Sequence, residues 1–187
     1  DGVSAEVQAE IRALAQAIGG ERVQVYAHDE KIGQPYIFTL AIARARGHWV
    51  HILHDDDWLE PGFYQALAAA ADSEIEIGAA FCRHRYIYEG KQRWISRLEQ
   101  ETAGVLENWL EEIATFCHLQ FSSIVVKRSV YERLGGFCPQ ARAVGDWEMW
   151  KRIAAHYPVW YEPQPLMNYR EHSASESSHL TRSGQEV

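Results

Sequence analysis

Three consecutive carboxylates, Asp55, Asp56 and Asp57, follow a largely apolar stretch at residues 49–53, with His54 between. The stretch has the partly branched side chains of a buried strand, so the carboxylates stand at a strand end. Neighbouring like charges repel each other, and a fold tolerates them where solvent, a helix dipole or a cation offsets the repulsion. Hard divalent ions such as Mg²⁺ and Mn²⁺ prefer oxygen-rich sites of this kind. A second interpretation stays open, in which Asp57 caps a helix that begins near Pro61 and its neighbours are solvated.

Two histidines lie near the carboxylates: His51 is within this stretch, and His54 directly follows it. Successive side chains of a strand alternate between its two faces, so residues three apart point to opposite sides. These histidines therefore do not form a joint metal pair. We expect His51 to be packed or exposed rather than to bind a metal.

The elements that must position these carboxylates alternate between helix and strand. The spacing of apolar residues predicts helices over residues 5–18, 35–46 and 61–71, and strands over 22–28 and 49–53. Such alternation favours an α/β fold with a mostly parallel sheet flanked by helices. Ligands bind at the carboxyl ends of the strands in these sheets, where the three aspartates lie.

The second half of the chain begins with a different pattern. A small antiparallel hairpin is indicated over residues 75–98, with its turn at Glu89 and Gly90. A helix over 107–116, a strand over 120–127, a short helix over 130–134, a helix starting at Asp146 and an extended segment over 159–169 follow. We expect one domain over residues 1–172 and a flexible tail over 173–187, because the tail is rich in Ser, His and Gly.

The composition limits the classes of partner. A formal net charge of -8 over 187 residues argues against nucleic acid, since the neutralisation of phosphates takes clustered Lys and Arg. No apolar run is long enough to be a transmembrane segment, and the amino terminus does not resemble a signal peptide. The three cysteines lack the paired spacing of zinc sites. We therefore expect a cytoplasmic protein with reduced thiols.

Four motifs together resemble those of the family 2 glycosyltransferases of the GT-A fold, which is Rossmann-like. They are GHWVHILHDDDWLEP at residues 47–61, LGGF at 134–137, GDWEMWKRIA at 145–154 and YREH at 169–172. The resemblance implies a nucleotide-diphosphate sugar donor, a D-x-D motif that holds Mn²⁺ or Mg²⁺, and an inverting transfer to a saccharide or lipid-linked acceptor in polysaccharide biosynthesis. A lipid-linked acceptor would bring the protein to the inner face of the membrane by peripheral association.

The resemblance assigns metal binding to the region from His54 to Asp57 and to His172. Asp56 matches the usual metal-binding aspartate, and His54 stands where the first aspartate of the motif is usual. Imidazole can itself bind Mn²⁺. We expect Asp55 and Asp57 to share the ribose and metal contacts. His172 matches a histidine that reaches the metal or the diphosphate in several relatives.

The resemblance assigns the catalytic base to Asp146, in the later acidic motif. An inverting transfer needs a carboxylate that removes a proton from the acceptor hydroxyl, while the metal stabilises the departing diphosphate. Local sequence alone favours a helix N-cap for Asp146. Glu148 is the alternative base. We expect Arg170 to bind the diphosphate, since guanidinium suits phosphate oxygens.

Parts of the family pattern are absent. The first four residues resemble the end of a nucleotide-binding motif, which makes Asp1 a donor-binding residue, but the first strand and most of the second are missing before it. Phe38 and Thr39 replace an arginine and an asparagine that relatives often have. An open sheet edge is costly. We therefore expect that the native protein continues upstream of Asp1, or that a partner chain or a homo-oligomer covers the sheet.

Two other functions stay open. A donor pocket that lacks strands is compatible with a non-catalytic module that binds sugar nucleotides or glycans. The adjacent His54 and Asp55 are compatible with a metal-dependent phosphohydrolase, although the spacing of the remaining histidines does not complete such a site.

Overall fold

The structure is a computed structural model that describes residues 3–172, so Asp1 and the expected flexible tail at 173–187 lie outside the described residues. This part of the chain contains the α-helices α1 Ala5–Gly19, α2 Gln34–Arg44, α3 Phe63–Ala68, α4 Trp109–Thr115, α5 Arg128–Leu134 and α6 Gly145–Ala154. Its strands are β1 Trp49–His51, β2 Trp58–Leu59, β3 Ala79–Tyr88, β4 Lys91–Ile95, β5 Gly104–Val105, β6 Ile124–Lys127 and β7 Val159–Glu171.

The strands form one mixed sheet. Strands β1, β6, β3, β7 and β2 lie side by side in that order, while β4 pairs with β3 and β5 pairs with β7. Among the described strands, β3 and β7 run parallel and the other pairings are antiparallel. The expected α/β class is confirmed, whereas the expectation of a mostly parallel sheet is wrong. Apolar spacing identifies a strand but does not indicate its direction. The long segment between β3 and β6 allows β6 to pair antiparallel with β3.

Helices cover both faces of the sheet, as the sequence predicts. Alternate residues of β3 enter two different apolar clusters, with Phe81 in one and Ala80 in the other. The larger cluster contains buried residues of α4, α5 and α6, and the smaller one contains Phe63 and Leu67 of α3. A sheet buried on both faces holds its strands in fixed register, because a slip by one residue would exchange the two faces.

The hairpin turn has the geometry that its two residues favour. Strands β3 and β4 pair antiparallel, and the turn between them has φ of 49° at Glu89 and 74° at Gly90. Positive φ at both central residues is the type I′ pattern, whose twist matches that of the flanking strands. The predicted hairpin is confirmed.

The amino-terminal region differs from the prediction. Helix α1 forms as expected, and the Ser4 hydroxyl accepts the Val7 N–H at 3.4 Å. The predicted strand at residues 22–28 is wrong, because Arg22 ends a short 3₁₀ helix and residues 23–28 do not pair with a described strand. Alternating apolar residues make a strand only where a neighbour supplies its hydrogen bonds.

Among the helices that the structure describes within residues 3–172, none has the length and apolar character needed to span a membrane.

Candidate functional site

A group of three potential metal ligands lies at the turn that follows β1. One ligand atom each from His54, Asp56 and Asp57 lie within 4.8 Å of one another. The turn is tight, since the Asp57 N–H donates to the His54 carbonyl at 3.3 Å. Two carboxylates and an imidazole suit Mn²⁺ or Mg²⁺, with imidazole favouring the transition metal.

His54 is held in a way that leaves one ring nitrogen unused. Its ring stacks with Phe121 at a centroid distance of 4.6 Å and with Phe38 at 5.5 Å. Its Nε2 atom is buried and has no hydrogen-bond partner within residues 3–172. A buried polar atom without a partner costs free energy, which a ligand at that nitrogen would recover. The residues present therefore fit a divalent cation.

Asp57 is the buried member of the group, with 8% of its surface exposed. Its Oδ1 atom accepts the Arg170 N–H at 3.1 Å, and it is also hydrogen-bonded to the Ser122 hydroxyl. Burial raises the pKa of Asp57, and these two hydrogen bonds oppose the rise.

Asp57 does not cap the helix that follows it, because the N-cap of α3 is Gly62. The interpretation of Asp57 as the cap of that helix is therefore wrong.

Ser122 is a residue that the sequence analysis missed. It is fully buried in the short 3₁₀ segment before β6, and its Oγ accepts the His54 N–H at 3.1 Å. Because the same hydroxyl is hydrogen-bonded to Asp57, it connects two members of the group. No spacing rule identifies a serine that is 68 residues from its partner.

Strand β7 brings His172 to the same group. Its Nε2 atom lies 3.1 Å from Oδ2 of Asp56, although the two residues are 116 positions apart. The four residues expected to bind the metal, His54, Asp56, Asp57 and His172, are thus close together in the fold. His51 is not among them, because its nitrogens lie 3.0 Å from the Tyr64 hydroxyl and 3.0 Å from the Ser122 carbonyl. Of the two environments expected for His51, packed or exposed, these contacts show the packed one.

A cleft of about 630 Å³ connects this group to Asp146. Asp55 and Asp56 line it on one side, and Gly145 and Asp146 line it at the start of α6. The N-cap of α6 is Val144, so the N-cap interpretation of Asp146 is wrong. Burial raises the pKa of Asp146, while the hydrogen bond from the Trp147 N–H, at 2.7 Å, opposes the rise. A carboxylate with a raised pKa beside an open cleft is suited to accept a proton.

Glu148 occupies a different environment. Both of its carboxylate oxygens pair with Arg152, at 2.9 and 2.8 Å, and it is not among the residues that line the cleft. Arg152 also donates to the carbonyls of Leu134 and Gly136. The pair therefore fixes α6 to the loop that follows α5, which is a structural task.

The arginine at the first cleft is not the one that the sequence suggested. The Arg170 guanidinium lies 5.4 Å from the ring centre of Trp58 and lines a second cleft instead of the first. Arg142, which the sequence analysis missed, lines the first cleft. It has no ion pair within residues 3–172, and its φ of 48° and ψ of -122° are rare for a residue with a side chain. Strained backbone of this kind is common at binding sites.

Fold and site together define a class, that of α/β proteins whose mixed sheet presents a group of potential metal ligands and a second buried carboxylate to one cleft. The family model described as Glycosyl transferase family 2 matches residues 1–135, and the chain therefore belongs to this family.

A solved structure with a similar fold is the mannosyltransferase PcManGT from Pyrobaculum calidifontis, in complex with GDP-Man and Mn²⁺. The two chains are 19% identical with a TM-score of 0.64, and the match covers 96% of this chain and 48% of that chain. The present chain thus spans about half the length of PcManGT. This likeness concerns the fold and confirms the expected GT-A-like architecture. No curated protein matches the chain.

Proposed function

We propose that the chain is the catalytic part of a metal-dependent glycosyltransferase that moves a sugar from a nucleotide-diphosphate sugar to a saccharide or lipid-linked acceptor. The observation that carries the proposal is the meeting of the His54, Asp56 and Asp57 group with Asp146 at one cleft, in a member of glycosyl transferase family 2. The GDP-Man and Mn²⁺ bound to PcManGT support the class of donor and the cation.

The donor diphosphate lies in this proposal between the cation and the Arg142 side chain. His54, Asp56, Asp57 and His172 hold Mn²⁺ or Mg²⁺, with the unpartnered Nε2 of His54 as one ligand. When bound, the cation would neutralise negative charge on the departing diphosphate. Arg142 adds a fixed positive charge at the same cleft, because guanidinium keeps its proton in proteins.

Asp146 is the catalytic base in this proposal. Its carboxylate takes the proton of the acceptor hydroxyl while that oxygen forms its bond to the anomeric carbon and the bond to the diphosphate breaks. Attack from the face opposite the diphosphate inverts the anomeric configuration. Burial raises the pKa of Asp146, so its conjugate acid holds the proton more tightly than an exposed aspartic acid would.

A non-catalytic module that binds sugar nucleotides is the second candidate. It is favoured by Phe38, an apolar side chain that lines the cleft where relatives often place an arginine. Its ring packs on His54 and Phe137, at centroid distances of 5.5 and 5.6 Å, and offers no charge to a phosphate. Both candidates would bind a sugar nucleotide, but only the glycosyltransferase would transfer its sugar.

The test is a transfer assay with the full chain, Mn²⁺, a set of UDP- and GDP-sugars and simple saccharide acceptors, read as release of nucleoside diphosphate. The Asp146→Asn variant should bind nucleotide normally and lose about 10²–10⁴-fold in transfer rate, the range of a general base. Glu148→Gln is the matched control, since it removes a carboxylate two residues away that the cleft does not use, and it should retain transfer.

Two results would overturn the assignment in different ways. Normal transfer by Asp146→Asn would remove the base from its proposed role. Binding of nucleotide without turnover by the unaltered chain, with every donor and acceptor, would favour the non-catalytic module.

A further inference from the structure

A second, smaller cleft lies beside the proposed donor cleft. It has a volume of about 370 Å³ and is bordered by Trp58 of β2, the hairpin residues Tyr88 to Gly90, and the end of β7. We name it the hairpin cleft. Of the residues that line it, only His172 has a role in the reaction proposed above.

The lining of the hairpin cleft combines an aromatic ring with planar polar groups. Trp58 keeps 37% of its surface exposed, although the Arg170 guanidinium lies 5.4 Å from its ring centre. Exposed indole rings offer a flat apolar surface, on which the C–H face of a sugar ring can pack. Glu171 and Arg170 border the same space and can hydrogen-bond to sugar hydroxyls.

The charges of the lining select against anionic ligands. Glu89 and Glu171 supply two negative charges and Arg170 supplies one positive charge, which leaves the cleft with a net negative charge. A phosphate or a uronate would be repelled, while a neutral sugar would not. The donor, whose diphosphate is strongly negative, is therefore a poor occupant.

The hairpin cleft is continuous with the metal group. His172 lines both clefts. Trp58 directly follows Asp57 in the chain, and the Arg170 N–H donates to the carboxylate of Asp57 at 3.1 Å. An occupant of the hairpin cleft therefore lies next to the residues proposed to hold the cation.

We propose that the hairpin cleft binds a neutral sugar ring of the acceptor saccharide, with Trp58 as its packing surface. The role as acceptor rests on the proposed glycosyltransferase function. Saccharide binding itself does not, because it can be measured without donor, metal or turnover.

The test is a titration of the full chain with maltose, cellobiose, a mannobiose and, as the acidic probe, digalacturonate, followed by saturation-transfer NMR. Neutral disaccharides should bind, and digalacturonate should bind more weakly. Trp58→Ala should weaken the binding of the neutral probe about tenfold, as expected for the loss of an aromatic packing surface. Trp58→Phe should recover much of the affinity.

Trp94→Ala is the matched control, because Trp94 is 51% exposed, packs on Tyr86 at a centroid distance of 3.5 Å and does not line the hairpin cleft. It should bind saccharide normally. The charge argument has a test of its own: Glu171→Gln should improve the binding of digalacturonate relative to the neutral probes.

The failure of this inference can be told apart from the failure of the proposed function. If no neutral probe binds, or if Trp58→Ala and Trp94→Ala bind it equally, the hairpin cleft is not a saccharide site, whatever the transfer assay shows. If a nucleoside diphosphate competes with the saccharide for the Trp58 surface in the absence of metal, the cleft belongs to the donor and the proposal is overturned. Loss of transfer in Asp146→Asn would be unaffected by either result.

Discussion

The contact between α2 and the loop after α5 gives a prediction with a calculable cost. A Cβ atom at Gly136 would lie 2.8 Å from Oγ1 and 3.2 Å from Cγ2 of Thr39. The residues beside this contact, Phe38 and Phe137, line the donor cleft and pack together at a centroid distance of 5.6 Å. Gly136→Ala should therefore push α2 away from the loop and loosen one wall of the cleft.

The magnitude follows from overpacking. Extra atoms in a filled space typically cost about 1–3 kcal/mol. In a protein of this size each kcal/mol lowers the melting temperature by roughly 2–4 °C, so Gly136→Ala should melt several degrees below the unaltered chain. Thr39→Ala removes both atoms that clash and loses only the exposed hydrogen bond from Thr39 Oγ1 to the Pro35 carbonyl, at 2.8 Å.

The double variant is the informative measurement. Gly136→Ala combined with Thr39→Ala should recover most of the lost stability, with a coupling free energy of about 1 kcal/mol or more by denaturant titration. Gly135→Ala is the matched control. Gly135 has φ 86° and ψ 172°, a conformation that side chains disfavour whatever surrounds it, so Thr39→Ala should not rescue it. If the effects of Gly136→Ala and Thr39→Ala simply add, the clash between these two residues is not what destabilises Gly136→Ala.

Three further predictions concern the cleft itself. Ser122→Ala removes the hydroxyl bonded to Asp57 and should lower the free energy of unfolding by about 1–3 kcal/mol and weaken Mn²⁺ binding, whereas unchanged values of both would contradict its connecting role. Asp146→Asn should stabilise the fold at pH 7, because burial raises the pKa of Asp146 above 3.8 and the ionised form is the costly one; denaturation at several pH values should show the gain fading as the pH falls through the raised pKa. Glu148→Gln weakens a part-buried ion pair in which both carboxylate oxygens bind Arg152, and should cost about 1–2 kcal/mol in stability while transfer persists; a large loss of transfer in a variant that remains folded would make Glu148 the base.

Local patterns in the sequence were sufficient for most elements and for the start of the site. Apolar spacing and glycines placed α1, α2 and the hairpin, because these signals act over a few residues. The same local patterns predicted the strand before Asp55. They did not predict the direction of the strands, since that depends on which distant segments pair.

Contacts between distant residues explain the remaining differences. Asp56 meets His172, and Ser122 meets His54, only after β1, β6 and β7 have taken their places in one sheet. His172 was expected from the family resemblance and not from spacing. The local sequence around Ser122 does not distinguish it as a site residue.

The two arginines show how register decides the position of a side chain. Trp58 lies opposite Asn168 in the pairing of β2 with β7, which brings Arg170 beside the indole and into the hairpin cleft. The sequence near Arg170 does not predict this register between β2 and β7. Arg142 reaches the donor cleft through an irregular backbone that no periodic pattern predicts.

The group of His54, Asp56 and Asp57 after β1 should bind a cation that the proposed donor requires. Electron paramagnetic resonance of Mn²⁺, with and without GDP or UDP, measures this directly on the full chain. Asp56→Asn should lose Mn²⁺ binding and, in parallel, metal-dependent nucleotide binding, whereas Asp72→Asn, which removes an exposed carboxylate elsewhere, should change neither. Binding of Mn²⁺ and nucleotide by Asp56→Asn with the affinity of the unaltered chain would contradict this prediction.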